Sequence, residues 1–373
     1  MGLTTKEISQ VLKFKDKTPC FLFDRAKFDS VSKSLNDAFS KLPIKLAYSV
    51  KTNNADCVLK AAIKGEFSYL EVCSKDEVKK AIKAGARYSQ IIYNGVLSEL
   101  DYRFKVASHG GIVNVDSYEM YKALSEYAKK KHKKIKIGAR INLDIGSGYS
   151  RFGLTAYEIE NFLIDLRNDE YLSLAGFIFH RYGGRDLSGW KKKLSAISDF
   201  LDRFSAEELC RIEYLDFGSN FYGDMDERLA AQFENVPMFN EYADLILNIL
   251  QKHFENNPTV MLEPGTPVVA NSVSLLAKID SVKKDVAIVD ASIFDIGFIC
   301  WSKKVPFDLL MCAPRIQPIK EIHGYACTEN DIIEKGIDVQ TGVGDLVLFR
   351  NCGAYSYSQD SDFIKNKLKV YAI

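Results

Sequence analysis

Short apolar runs recur through the first two thirds of the chain, at 46–50, 69–72, 91–93, 112–115, 135–141, 174–179, 212–217 and 260–262. Between them lie segments such as 74–84, 118–131, 157–167, 194–204 and 238–254, where apolar residues return every three or four positions and Lys or Glu fills the opposite face. Runs of the first kind read as buried strands, and segments of the second kind as amphipathic helices. Eight such β/α repeats predict a TIM barrel. A doubly wound open sheet is the competing architecture, but its glycine-rich first turn, G-x-G-x-x-G, is missing. Beyond Glu263 the pattern changes to short strand-like runs at 274–279, 287–290, 316–322, 345–349 and 368–373, separated by turn residues. That texture predicts an all-β domain. With an early apolar run at 20–24, the expected division is a barrel over 26–265 and a β domain over 266–373, to which residues 1–25 contribute a strand.

Barrels of this kind build their active sites at the C-terminal ends of the strands. The residues at or just past the eight runs are Lys51, Glu71, Asn94, Asp116, Arg140 with Asn142, His180, Gly218 with Ser219 and Asn220, and Glu263. Singly, each is an ordinary strand cap or loop residue; together they would converge on one axis. Lys51 ends the run Leu46-Ala47-Tyr48-Ser49-Val50 abruptly. Half out of water there, it is expected to have its pKa lowered by desolvation and its amine freed for nucleophilic attack on a carbonyl.

Composition narrows the function classes. The 373 residues are 47% hydrophobic and 27% charged with a formal net charge of +1, a balance that gives no support to a nucleic-acid or membrane-surface role. The eight cysteines form no C-x-x-C pair, and with five histidines there is no zinc-type cluster to propose, so reduced thiols in a cytoplasm are expected. No run of about 18 apolar residues occurs, and no signal-peptide pattern follows Met1.

Six motifs then appear in order. They are Tyr48-Ser49-Val50-Lys51-Thr52-Asn53, Ser150-Arg151-Phe152-Gly153, Asp216-Phe217-Gly218-Ser219-Asn220-Phe221, Glu263-Pro264-Gly265, Gly324-Tyr325-Ala326-Cys327-Thr328-Glu329-Asn330-Asp331 and Gly353-Ala354-Tyr355. Together they resemble the fold type III, alanine-racemase-like family of pyridoxal 5′-phosphate (PLP) enzymes, in its branch of diaminopimelate and ornithine decarboxylases. The resemblance spans almost the whole chain and implies PLP as cofactor, an amino-acid substrate and a homodimer with shared active sites. It further implies that Lys51 carries the cofactor, Glu263 pairs with the pyridine nitrogen and His180 stacks on the ring. Gly218, Ser219, Asn220, Gly265 and the Tyr355 hydroxyl would bind the phosphate, and Cys327, reaching the site of the other subunit, would return a proton to Cα after CO2 leaves. Lys51, Cys327 and Glu263 are thus the expected catalytic residues, with no metal.

Departures from the family pattern bear on the substrate. Thr266 stands where an arginine near the phosphate usually follows Glu-Pro-Gly, the segment Arg181-Tyr182-Gly183-Gly184 after His180 is one residue longer, and the glycine triplet is reduced to Gly218-Ser219-Asn220. Thr328 replaces a commonly acidic residue after the cysteine, and 293–300 lacks the arginine with which diaminopimelate decarboxylases grip a distal carboxylate. The chain therefore resembles the divergent decarboxylases of siderophore-type pathways as well, whose substrate can be an acylated or citrate-conjugated diamino acid. A racemase or epimerase of the same fold and a non-catalytic PLP-binding homologue are the alternatives.

Overall fold

A computed structural model describes residues 3–146, 148, 150–181, 183–314, 316–362 and 364–373, apart from the Phe298 side chain. Eight parallel strands close into a barrel: β2 (Ile44–Ser49), β3 (Tyr69–Val72), β4 (Ile91–Tyr93), β5 (Ile112–Val115), β6 (Ile135–Arg140), β7 (Leu172–Ile178), β8 (Tyr214–Asp216) and β9 (Thr259–Leu262). Closure runs through β2 and β9, with Ile44 opposite Val260. Each expected barrel strand is present, and four of the five named helices match within a residue or two. The exception is the helix expected at 194–204, which spans Leu187–Leu201 because Asp186 caps it through the Gly189 N–H (2.7 Å).

The barrel axis is polar. The Tyr214 hydroxyl donates to Asn114 Oδ1 (2.6 Å), and Asn114 Nδ2 donates to Asn94 Oδ1 (2.8 Å). Two glycines make room for this column. A Cβ on Gly138 would lie 2.0 Å from both the Tyr214 hydroxyl and Asn114 Oδ1, and one on Gly176 would lie 2.3 Å from the Tyr214 carbonyl.

A second sheet holds β12 (Phe307–Leu310), β15 (Leu346–Phe349), β10 (Val273–Lys283), β11 (Val286–Val289), β13 (Gln317–His323) and β14 (Ile332–Thr341), in that order. The chain ends join it. The fully buried β1 (Cys20–Phe23) runs antiparallel to β10 and parallel to β16 (Lys369–Ala372). A strap at 353–356 ties this sheet to the barrel mouth. Asn53 Nδ2 donates to the Gly353 carbonyl (2.9 Å), and the Tyr355 N–H donates to the Thr52 carbonyl (2.8 Å). No helix among the described residues is long and apolar enough to cross a membrane.

Arg103 holds the β4 and β5 ends in place. It is wholly buried and donates to the carbonyls of Tyr93, Asn94, Gly95, Leu97 and Asn114 at 2.7 to 3.4 Å. Its guanidinium also lies 4.4 Å from the Tyr93 ring centroid. Arg103→Met fills the volume but strips five carbonyls of a charged donor, those of the buried Tyr93, Asn94 and Asn114 among them, so it should lower stability by about 3–5 kcal/mol. Urea denaturation of the two proteins measures this; a loss under about 1 kcal/mol would mean the loop carbonyls find water.

Candidate active site

Lys51 sits in the single turn Val50–Thr52 that ends β2, and its Nζ pairs with Glu71 at the tip of β3. Glu71 is buried and also accepts from Cys73 Sγ (3.1 Å). Asn94, at the end of β4, links two carboxylates, lying 3.4 Å from Glu71 Oε1 and 2.6 Å from Glu263 Oε1. The polar column thus runs from Tyr214 near the barrel floor up to Glu263.

The expectation of a freed Lys51 amine is overturned. Burial does press its pKa down, but Glu71, then Cys73 and Glu263, press harder, and the amine is held protonated well above the ordinary lysine value. Sequence reading missed this because Glu71 is twenty residues away along the chain and was read only as a strand end.

Glu263 behaves in the opposite way. Burial, with Asp216 and Glu71 close by, raises its pKa well above the ordinary range, so it keeps a proton. That proton resolves a local shortage. Treated as a carboxylate pair, Glu263 and Asp216 leave the buried Asp216 Oδ2 without a partner; a proton on Glu263 gives the two side chains the donor for the hydrogen bond between them. The other Asp216 oxygen accepts the Gly218 N–H at 2.7 Å. Burial lifts the Asp216 pKa to about 6.

The turn after β8 is bent by residues of positive φ, Gly218 at 63° and Asn220 at 82°. Gly218 must be glycine, since a Cβ there would lie 2.3 Å from His180 Nδ1. The His180 imidazole is kept neutral by burial and by the cations Arg140, Lys51 and Lys193, and its Nδ1 has no partner among the described residues. Because the Gly218 N–H is committed to Asp216, only Ser219 and Asn220 keep N–H groups without a protein acceptor among the described residues. Gly265 closes the other side, where a Cβ would meet Thr52 Oγ1 at 2.0 Å. Tyr355 adopts a positive φ of 63° in the strap beside Lys51 and Thr52.

Cys327 stands apart. It is exposed in the loop between β13 and β14, organised by the buried Asp331, which accepts from the Ala326 N–H (2.7 Å) and Ser292 Oγ (2.9 Å). Among the described residues it makes no hydrogen bond to Lys51, Glu71, His180 or Glu263 of its own chain. Thr328 and Glu329 are exposed in the same loop. Tyr182 lies outside the described residues, and no group of described His, Cys, Asp or Glu side chains is arranged to hold a metal.

The family profile described as "Pyridoxal-dependent decarboxylase, pyridoxal binding domain" matches residues 25–270. This chain belongs to the pyridoxal-dependent decarboxylase family. Among relatives of the decarboxylase, the diaminopimelate decarboxylase of Pseudomonas aeruginosa is 25% identical over 93% of this chain and 85% of its own. The fold matches that of Helicobacter pylori diaminopimelate decarboxylase complexed with L-lysine, with a TM-score of 0.84 and 22% identity over 98% of this chain and 94% of the other. Lysine/ornithine decarboxylase from Vibrio vulnificus complexed with cadaverine gives 0.82 at 17% identity, covering 100% and 99%. The cofactor of this decarboxylase is PLP.

Asp216 has a pH signature. Its folded pKa of about 6 lies above the ordinary 3.8, so between those values the folded protein holds a proton that the unfolded chain has lost. That contribution is complete below about pH 4 and disappears as pH rises through 6. Asp216→Asn keeps an acceptor for Gly218 and removes the titration. From pH 4 to 7 the wild type should lose up to roughly 3 kcal/mol more stability than the variant. Urea midpoints across that range are the measurement, and parallel curves would refute the assignment.

Proposed function

We propose that the protein removes the α-carboxylate of a diamino acid whose distal amine is masked by an acyl or citryl group, acting as a homodimer in which Lys51 works with Cys327 of the partner subunit. The observation that carries this reading is Lys51 held at a barrel mouth by Glu71, one Asn94 side chain away from a proton-bearing Glu263. The pocket suits PLP on its own features. A phosphate fits the turn that His180 and Gly218 close to any Cβ, and the Ser219 and Asn220 N–H groups are open to it.

When bound, PLP supplies the electron sink for the pair left on Cα as CO2 departs. Lys51 carries it, and must first pass its Nζ proton on, for which Glu71 is the adjacent acceptor. Glu263 holds a proton in place for the ring nitrogen, and Asn94 fixes that carboxyl's direction. Neutral His180 covers the ring face without adding charge. Gly265 and the Tyr355 hydroxyl complete the phosphate end. Cys327 of the partner subunit returns the proton to Cα, which fits its exposure in the loop between β13 and β14.

The diamino-acid class is supported by the relatives, diaminopimelate and lysine/ornithine decarboxylases. The mask on the distal amine follows from Thr328, whose neutral hydroxyl cannot match an ammonium. Losing a charged hydrogen bond in a closed site costs about 1.5–3 kcal/mol, roughly tenfold to hundredfold. Measured as kcat/KM for CO2 release, the conjugated form of a diamino acid should therefore exceed the free form by that ratio, and Thr328→Asp should narrow the gap. A free diamino acid that already wins with the unmutated enzyme points instead to Glu329 as the carboxylate.

The shared site has its own test. Mixing inactive Lys51→Ala with inactive Cys327→Ala should restore about a quarter of wild-type activity, because half of the randomly exchanged dimers are hybrids with one intact site of two. No recovery despite demonstrated subunit exchange would sink the shared site.

A further inference from the structure

Behind the cradle lies a buried cation, Lys193. Lys191, Lys192 and Lys193 follow one another on the helix Leu187–Leu201, and two of them face solvent. Lys193 is only 5% exposed. It shares the inward stripe with Trp190, Leu194, Ile197 and Leu201, which are all buried. Its Nζ donates to the Phe217 carbonyl at 2.5 Å, immediately before Gly218. One turn earlier on the same helix, Trp190 Nε1 donates to the Asn220 carbonyl at 3.2 Å. The two side chains touch, Nζ lying 4.2 Å from the indole centroid. Together they grip both ends of the turn that offers the Ser219 and Asn220 N–H groups.

A lysine ammonium has three donors, and one carbonyl uses one of them. No carboxylate lies within salt-bridge distance of Lys193 among the described residues. Asp216 and Glu263 act on it from neighbouring strands, but burial outweighs them and its pKa falls to about 7. Such a group is an expensive tenant for a bracing role that a neutral amide would fill, since burying a charge without a counter-ion is costly. An anion at the turn removes that cost. Thr266, where an arginine is usual, adds no charge of its own.

We propose that Lys193 is the phosphate-side cation of this protein, reaching the cofactor's phosphate from behind the 218–220 turn and standing in for the arginine absent at Thr266. The inference rests on the cradle reading given under the proposed function, and the test separates the two. Protein stripped of cofactor is titrated with PLP and with pyridoxal, which lacks the phosphate, and the ratio of the two dissociation constants is taken as the phosphate preference. No preference in the unmutated protein overturns the cradle itself. Given a preference, Lys193→Gln, which keeps a donor for the Phe217 carbonyl, should reduce it by roughly tenfold to hundredfold while leaving pyridoxal affinity little changed. Adding Thr266→Arg to that variant should restore most of the preference. Equal weakening of both ligands, or an unchanged ratio, identifies Lys193 as a brace for the turn and overturns the inference. Should Lys193→Gln fail to fold, Thr266→Arg alone decides. A preference that stays within about threefold supports a cradle already served by Lys193, whereas a rise of tenfold or more reveals a cradle that lacked a cation.

Discussion

Three buried carboxyl groups, those of Glu71, Asp216 and Glu263, crowd the mouth of the barrel, with Lys51 as the cation paired directly to one of them. They cannot all be ionised in so dry a place, and the conflict is settled by dividing the protons unequally. Burial raises Glu71 as well, but the Lys51 ammonium, with hydrogen bonds from Lys51, Cys73 and Ser49, brings it below the ordinary glutamate value. Glu263 takes a proton, and Asp216, bonded to the Gly218 N–H, is left between the two. One crowding therefore sets a charged amine, a neutral acid and a fixed turn at once.

That arrangement holds only if the strand tips keep their register. Asn94 is oriented from below by Asn114 and Tyr214, and its own carbonyl is held from the side by Arg103. The space for Tyr214 is created by Gly138 and Gly176, so two residues on β6 and β7 with no side chain decide where Glu263, at the end of β9, points two to three strands further around the barrel. The 560 Å³ cleft at the opposite end, lined by Lys134, Ile135, Ser173 and Thr259 among others, touches this column at Tyr214 and contains none of the mouth's charged groups.

The barrel was legible because its strands are buried on both faces and therefore appear as unbroken apolar runs between amphipathic helices. The β domain was read less completely. Its longest misses, β12 and β14, carry Asp308, Glu334, Lys335 and Asp338 within the strands, and β14 alternates buried and exposed positions too irregularly to give a clean period of two. At the site, the chain positions of Lys51, His180, Glu263 and the glycine turn could be read from strand ends and motifs. Their protonation states could not, since Lys51 owes its charge to Glu71 and Glu263 owes its proton to Asp216, pairings that exist only once the barrel closes. Lys193 had a faint signal in its place on the Trp190, Leu194, Ile197 stripe, but a run of three lysines reads first as a solvated face.

The pairing of β1 with both β10 and β16 has a consequence for how the molecule is made. Synthesis proceeds from the N-terminus, so Cys20–Phe23, an entirely apolar strand, leaves the ribosome with neither neighbour yet in existence. One edge is covered when β10 emerges after the barrel, and the other only when Lys369–Ala372, which follow β15 in the chain, are free. A nascent or prematurely terminated chain thus carries an open hydrophobic edge of the kind that holdase chaperones bind and that self-associates when they are scarce.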